Sequence, residues 1–158
     1  MVKAISAYTL VLFCLGFVLA FCCGCYPRLT TPAKLAEWSE CDPSYISDWI
    51  GAMTAYKVQR GYPKADDVMQ SGVSDCKGRA VIAIETLKAC GYKSHIVLLS
   101  NPGKTADHVI AVFTMQNGKR GFIDSSSHGI YPESRAWRDI IADVGDGNWK
   151  AVFAEDVK

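Results

Sequence analysis

The sequence has no internal repeat, no low-complexity tract and no heptad pattern, so it is neither a solenoid nor a coiled coil. It also lacks an excess of either charge. The formal net charge is +1, which argues against a broad basic surface for nucleic acid. Histidine is scarce, and His95, His108 and His128 stand at no metal-ligand spacing to the cysteines. Gly103-Lys104-Thr105 looks like the end of a phosphate loop. The first glycine of such a loop would fall on Leu98, and a strand follows instead of a helix. Asp143-Val144-Gly145-Asp146-Gly147-Asn148 lacks the closing carboxylate of a calcium loop, because that place is Ala154. Ser125-Ser126-Ser127-His128 is not a nucleophile elbow. No cofactor and no metal are expected.

Charge is most conspicuously missing from the first 25 residues, where Lys3 is the single charged side chain. From Leu10 to Cys25 nothing is charged or strongly polar. At about 1.5 Å per residue, the run from Ala4 could cross the hydrocarbon of a bilayer. Three readings stay open: a signal cleaved after a small residue such as Ala20 or Gly24, an uncleaved anchor, and a lipoprotein signal with Cys25 as the lipidated residue. The anchor and lipoprotein readings make the membrane a partner through this segment, and all three put Tyr26 onward outside the cytoplasm. The rest of the 158-residue chain divides into a linker over 26–31 and one domain over 32–158.

Beyond the apolar segment, cysteine is limited to Cys41, Cys76 and Cys90. In an oxidising compartment two of three can pair, and a Cys41–Cys90 bond would leave Cys76 free. The spacing fits a blander reading better, with Cys90 as a small apolar residue on a helix face.

The domain reads as helices first and strands second. Thr31-Pro32 caps a short helix to about Glu40, and Asp42-Pro43 opens another to about Gln59. The second carries Ile46, Trp49, Ile50, Met53 and Tyr56 at helical spacing, an apolar stripe expected in the core. A short helical turn and a loop run from Pro63 to Val73. Asp75 then caps a helix that begins at Cys76 and stops at Gly91, with Ala80, Ala83, Ile84, Leu87 and Cys90 on one face.

Strands follow at Ser94–Leu99, Asp107–Thr114 and Arg120–Asp124, making an antiparallel sheet of at least three strands. A short helix over 134–143 and a strand over 149–153 complete the chain. Asn117-Gly118 predicts a two-residue hairpin turn pairing Gln116 with Lys119. Asp124 would then face Ala111, leaving it roughly 10 Å along the strand from His108 at about 3.3 Å per residue. A bulge at Gly121 could close that gap.

A cysteine in the first turn of a helix meets free backbone N–H groups and the positive end of the helix dipole, which favour thiolate. His108 at the start of one strand and Asp124 at the end of the next supply a base and its orienter. Cys76, His108 and Asp124 are therefore the candidate catalytic residues.

The run Val68-Met69-Gln70-Ser71-Gly72-Val73-Ser74-Asp75-Cys76-Lys77-Gly78-Arg79-Ala80 resembles the nucleophile motif of the transglutaminase-like superfamily. Asp107-His108-Val109-Ile110-Ala111-Val112 and Phe122-Ile123-Asp124 resemble its second and third elements. Ser74 stands for the usual glycine, Ile110 for a common tryptophan and Ser125 for a common proline. These departures point away from protein cross-linking.

The resemblance implies an α+β, papain/transglutaminase-like fold with the nucleophile helix packed on the sheet. It also implies a cysteine peptidase or amidase acting on a protein or peptide substrate through an acyl-enzyme. Gln70, six residues before Cys76, matches the spacing of the oxyanion glutamine in papain-like proteases. Transglutaminase-type acyl transfer and a non-catalytic peptide-binding module are the alternatives.

Overall fold

The computed structural model describes residues 26–100, 107–125, 127–144 and 150–153. The export or anchor segment, with Cys25, lies outside the described residues. No helix among those described is long and apolar enough to cross a membrane.

Helix α1 spans Pro32–Trp38 and α2 spans Pro43–Met53. Each has proline in its first turn and a side-chain cap. Thr31 accepts from the N–H of Lys34, and Asp42 from that of Ser44. Helix α2 ends six residues short of Gln59. Thr54 turns extended, and the chain enters the two-residue strand β1, Ala55–Tyr56. β1 runs parallel to β2, Val73–Ser74, and lies between α2 and helix α3, Ala65–Ser71. Strands this short carry no periodicity, and the bonds to β2 outweigh one more turn of α2. Tyr56 consequently leaves the core stripe and stands 60% exposed.

Helix α4, Cys76–Ala89, is the centre of the domain. It packs against α1, α2, α3 and the sheet. Ile82 and Thr86 are buried together with the expected face of Ala80, Ala83, Ile84 and Leu87. A helix enclosed on most sides does not display one apolar stripe, which is why burial extends beyond that face. Gly78 lets neighbours approach, since a Cβ there would meet the Ser74 hydroxyl oxygen and come within 3.1 Å of Pro63 and Val68.

The main sheet has the order β6-β5-β4-β3-β7 and is antiparallel throughout. Its strands are β3 Lys93–Ser100, β4 His108–Thr114, β5 Arg120–Ile123, β6 His128–Tyr131 and β7 Lys150–Phe153. Alternation on β4 builds two cores. Ala111 and Phe113 pack with Ile123 against the helices, while Ile110 and Val112 pack with Phe122 against helix α5, Trp137–Ile141. At about 1.5–3 kcal/mol per buried large apolar side chain, these layers fix the sheet against α4.

The hairpin register differs by one residue from expectation. Phe113 pairs with Gly121 and Ala111 with Ile123. The loop is a three-residue one: Met115 N–H donates to the Lys119 carbonyl, and Gly118 takes the left-handed conformation at φ 82°. Asp124 thereby moves one place nearer His108 with no bulge at Gly121. Gly121 serves another purpose, because a Cβ there would collide with the Phe113 ring and the Gly129 carbonyl.

Cys41 and Cys90 form a disulfide, with their Cα atoms 5.5 Å apart. The favoured reading of Cys90 as a plain helix-face residue is thus corrected. The bond ties the α1–α2 corner to the end of α4 across 49 residues of sequence, a proximity that spacing could not reveal. On loop-closure arguments it contributes up to about 4 kcal/mol. Cys76 is the free cysteine among the described residues.

Candidate active site

Asp75 determines how α4 begins. Its Oδ1 accepts from the N–H groups of Lys77 and Gly78, at 3.0 and 3.2 Å. Its Oδ2 accepts from the Gln59 N–H at 3.0 Å and pairs with Lys77 Nζ at 3.2 Å. Burial alone would push the carboxyl up. The Gln59 and Gly78 N–H groups and Lys77 overcome that and hold it below the ordinary carboxylate range. The capped helix presents Cys76 half-buried in its first turn.

His108 is the first residue of β4, and Asp124 immediately follows β5. Asp124 is held by its own N–H on the Ser127 carbonyl at 2.7 Å and by the Ser125 N–H on its Oδ1. That Oδ1 lies 2.5 Å from His108 Nε2. The His108 side chain also hydrogen-bonds Cys76, and the Val109 N–H donates to the same sulfur. With Nε2 committed to the carboxylate, Nδ1 is the ring nitrogen left for the thiol. The structure thus brings Cys76, His108 and Asp124 into one connected chain.

The electrostatics favour an ion pair. Burial pushes the Cys76 thiol up, but the His108 and Val109 hydrogen bonds and the imidazolium charge bring it below its ordinary value. Burial pulls His108 down, yet the bonds to Asp124 and Cys76 and their charges hold it up at about 9. Asp124 is likewise raised by burial and lowered further by His108 and Ser125, to a net value below the ordinary range. All three shifts act in the same sense, favouring thiolate, imidazolium and carboxylate over the neutral forms. As the first residue of α4, Cys76 has no intrahelical partner for its N–H, which suits that group to a developing oxyanion. Gln70 sits on the exposed side of α3. Its backbone carbonyl accepts from Arg28, and its side chain makes no hydrogen bond among the described residues.

Three neighbours escaped the sequence analysis. Arg79, one turn beyond Cys76, donates to the Thr54 carbonyl at 2.5 Å and to the Ser125 carbonyl at 3.0 Å. It also lies 5.5 Å from the centre of the Tyr56 ring. It therefore links β1, α4 and the turn bearing Asp124. Gln59 fastens the segment after β1 to Asp75 and, through Nε2, to the Val73 carbonyl at 3.1 Å. Arg79 is one of four charged residues on its helix, with Lys77, Glu85 and Lys88, so its charge alone did not single it out. Nothing in the local pattern marked Tyr56 or Gln59. Among the described residues, no group of three or more His, Cys, Asp or Glu is placed to hold a metal ion.

An α+β domain in which a cysteine-bearing helix crosses an antiparallel sheet, with histidine and aspartate on adjacent strands, is a transglutaminase-like fold. Solved structures of Legionella pneumophila LapG share this fold. The calcium-bound form superposes with a TM-score of 0.55 at 16% identity, covering 75% of this chain and 68% of that one. The EGTA-treated form gives the same score and identity, with 67% of its own chain covered. A third LapG structure also gives 0.55 at 16%, over 75% of this chain and 68% of its own. No family model and no curated protein sequence matches the chain.

Proposed function

We propose that this chain is a cysteine-dependent peptidase or amidase working through a Cys76–His108–Asp124 triad. The observation that carries the reading is the continuous hydrogen-bonded path from the carboxylate through the imidazole to a sulfur at a helix N-terminus. The Cys76 thiolate adds to an amide carbonyl, and its oxyanion is met by the Cys76 N–H. Imidazolium at His108 gives its proton to the leaving amine as the C–N bond breaks, and a thioester forms. His108, now neutral, takes a proton from water. The hydroxide displaces the thiolate, the acid leaves, and the ion pair is restored. Asp124 keeps the ring oriented throughout.

Hydrolysis ranks above transfer to an amine, because a thioester open to water hydrolyses by default. The apolar run from Ala4 to Cys25, either intact or lipidated at Cys25, would tether the enzyme to a membrane from its exported side. The test is digestion of a mixed peptide pool in heavy-oxygen water, followed by mass spectrometry. New carboxyl termini carrying one heavy oxygen, and a trapped acyl group on Cys76, are expected. Products joined to an added amine in preference to water would favour acyl transfer. An unchanged pool would overturn the enzymatic reading.

A further inference from the structure

The segment from Ala55 to Lys64 has Lys57, Arg60 and Lys64 and no acid. It also exposes apolar surface: Tyr56 is 60%, Val58 76% and Tyr62 56% exposed. Neither Lys57 nor Arg60 forms an ion pair with any described residue. Yet the segment is fastened down. Gln59 bonds Asp75 and Val73, and its carbonyl accepts from Lys77 Nζ at 2.7 Å. These bonds run to β2 and to the cap and first turn of the helix that opens on Cys76. Gln59 thus anchors the segment to the start of the helix that bears the thiol.

The backbone adds a second feature. Ala55 N–H donates to the Gly72 carbonyl and Lys57 N–H to the Ser74 carbonyl, both at 2.8 Å. Peptide groups of successive strand residues point to opposite edges. The N–H and C=O of Tyr56 therefore face away from β2, and no described strand pairs on that edge. Tyr56 is level with Ser74, two residues before Cys76, and its hydroxyl lies within electrostatic reach of the sulfur. An unpaired edge, exposed apolar side chains and unpaired cations thus coincide next to the nucleophile.

We propose that this segment is the substrate-docking strand, and that it selects an extended peptide bearing acidic residues near the bond to be cut. The peptide adds to the free edge at Tyr56. Its acidic side chains meet Lys57 and Arg60, and its apolar ones rest on Val58 and Tyr62. The inference rests on the hydrolase reading, supplying its substrate class.

Two fluorescein-labelled pools of short random peptides, one enriched in glutamate and one in lysine, test it with the full chain. Binding is read by anisotropy on the Cys76→Ala variant, and cleavage on the unaltered chain. The Glu pool binds and is cleaved better by roughly tenfold, mainly through KM, and high salt erodes the difference. The double variant Lys57→Glu/Arg60→Glu inverts the preference, and its unchanged melting temperature verifies the fold. Cleavage of both pools alike, or a preference untouched by the double variant, overturns the docking inference and leaves the hydrolase standing. Charge-selective binding with no cleavage supports docking and sinks the hydrolase. Neither binding preference nor cleavage sinks both.

Discussion

Cys76→Ala will lower amide hydrolysis by about 10⁴–10⁶-fold in kcat, the range seen when a nucleophile is removed from a triad. Without the sulfur no thioester can form, and only the oxyanion donor and substrate binding remain to help water. Cys76→Ser will fare little better, because His108 is tuned to stabilise a thiolate and an alkoxide is far more basic. The fold will survive either change, since Cys76 is half-buried in the first turn of α4 and Asp75 still caps the helix. Initial rates on a cleaved peptide, with circular dichroism as control, make the measurement. Hydrolysis retained in Cys76→Ala would contradict Cys76 as the nucleophile.

Asp124→Asn will cost on the order of 10³–10⁴-fold in kcat/KM, with folding again preserved. The carboxylate offers His108 Nε2 a charge-assisted acceptor at 2.5 Å, and an amide of the same shape offers none. The imidazolium loses its chief support, so His108 falls from about 9 toward its ordinary value of 6.5. The thiol, deprived of a stable imidazolium, rises. The pH window of activity must then narrow from both sides. Below the thiol pKa the nucleophile is protonated; above that of His108 the leaving amine finds no proton. A pH profile of kcat/KM reads this directly. A loss under tenfold with an unmoved profile would make Asp124 a turn residue and nothing more.

The helix starts were legible because capping chemistry is local. Thr31-Pro32, Asp42-Pro43 and Asp75 each announce a first turn in two or three residues. Strands β3, β4 and β5 were legible from their apolar, β-branched runs. What escaped depends on partners distant in sequence. β1 and β2 are two residues each and exist through each other. β6 contains Gly129 and shows no two-residue alternation of apolar side chains. Asn117-Gly118 marked the turn correctly, but not that Gly118 ends a three-residue loop. That single-residue difference decides how far Asp124 stands from His108. The three residues now joined by hydrogen bonds were each named from an element's edge, whereas Arg79 and Tyr56 belong to the site only through tertiary contact.

The central claim is that Cys76 is a thiolate held by His108. Its most direct test is the rate of iodoacetamide alkylation of Cys76 against pH, followed by peptide mass spectrometry. The account predicts fast alkylation at neutral pH, with an inflection well below the free-thiol value of about 8.5 that shifts upward in His108→Gln. An inflection at or above that value, or one indifferent to His108, would contradict it.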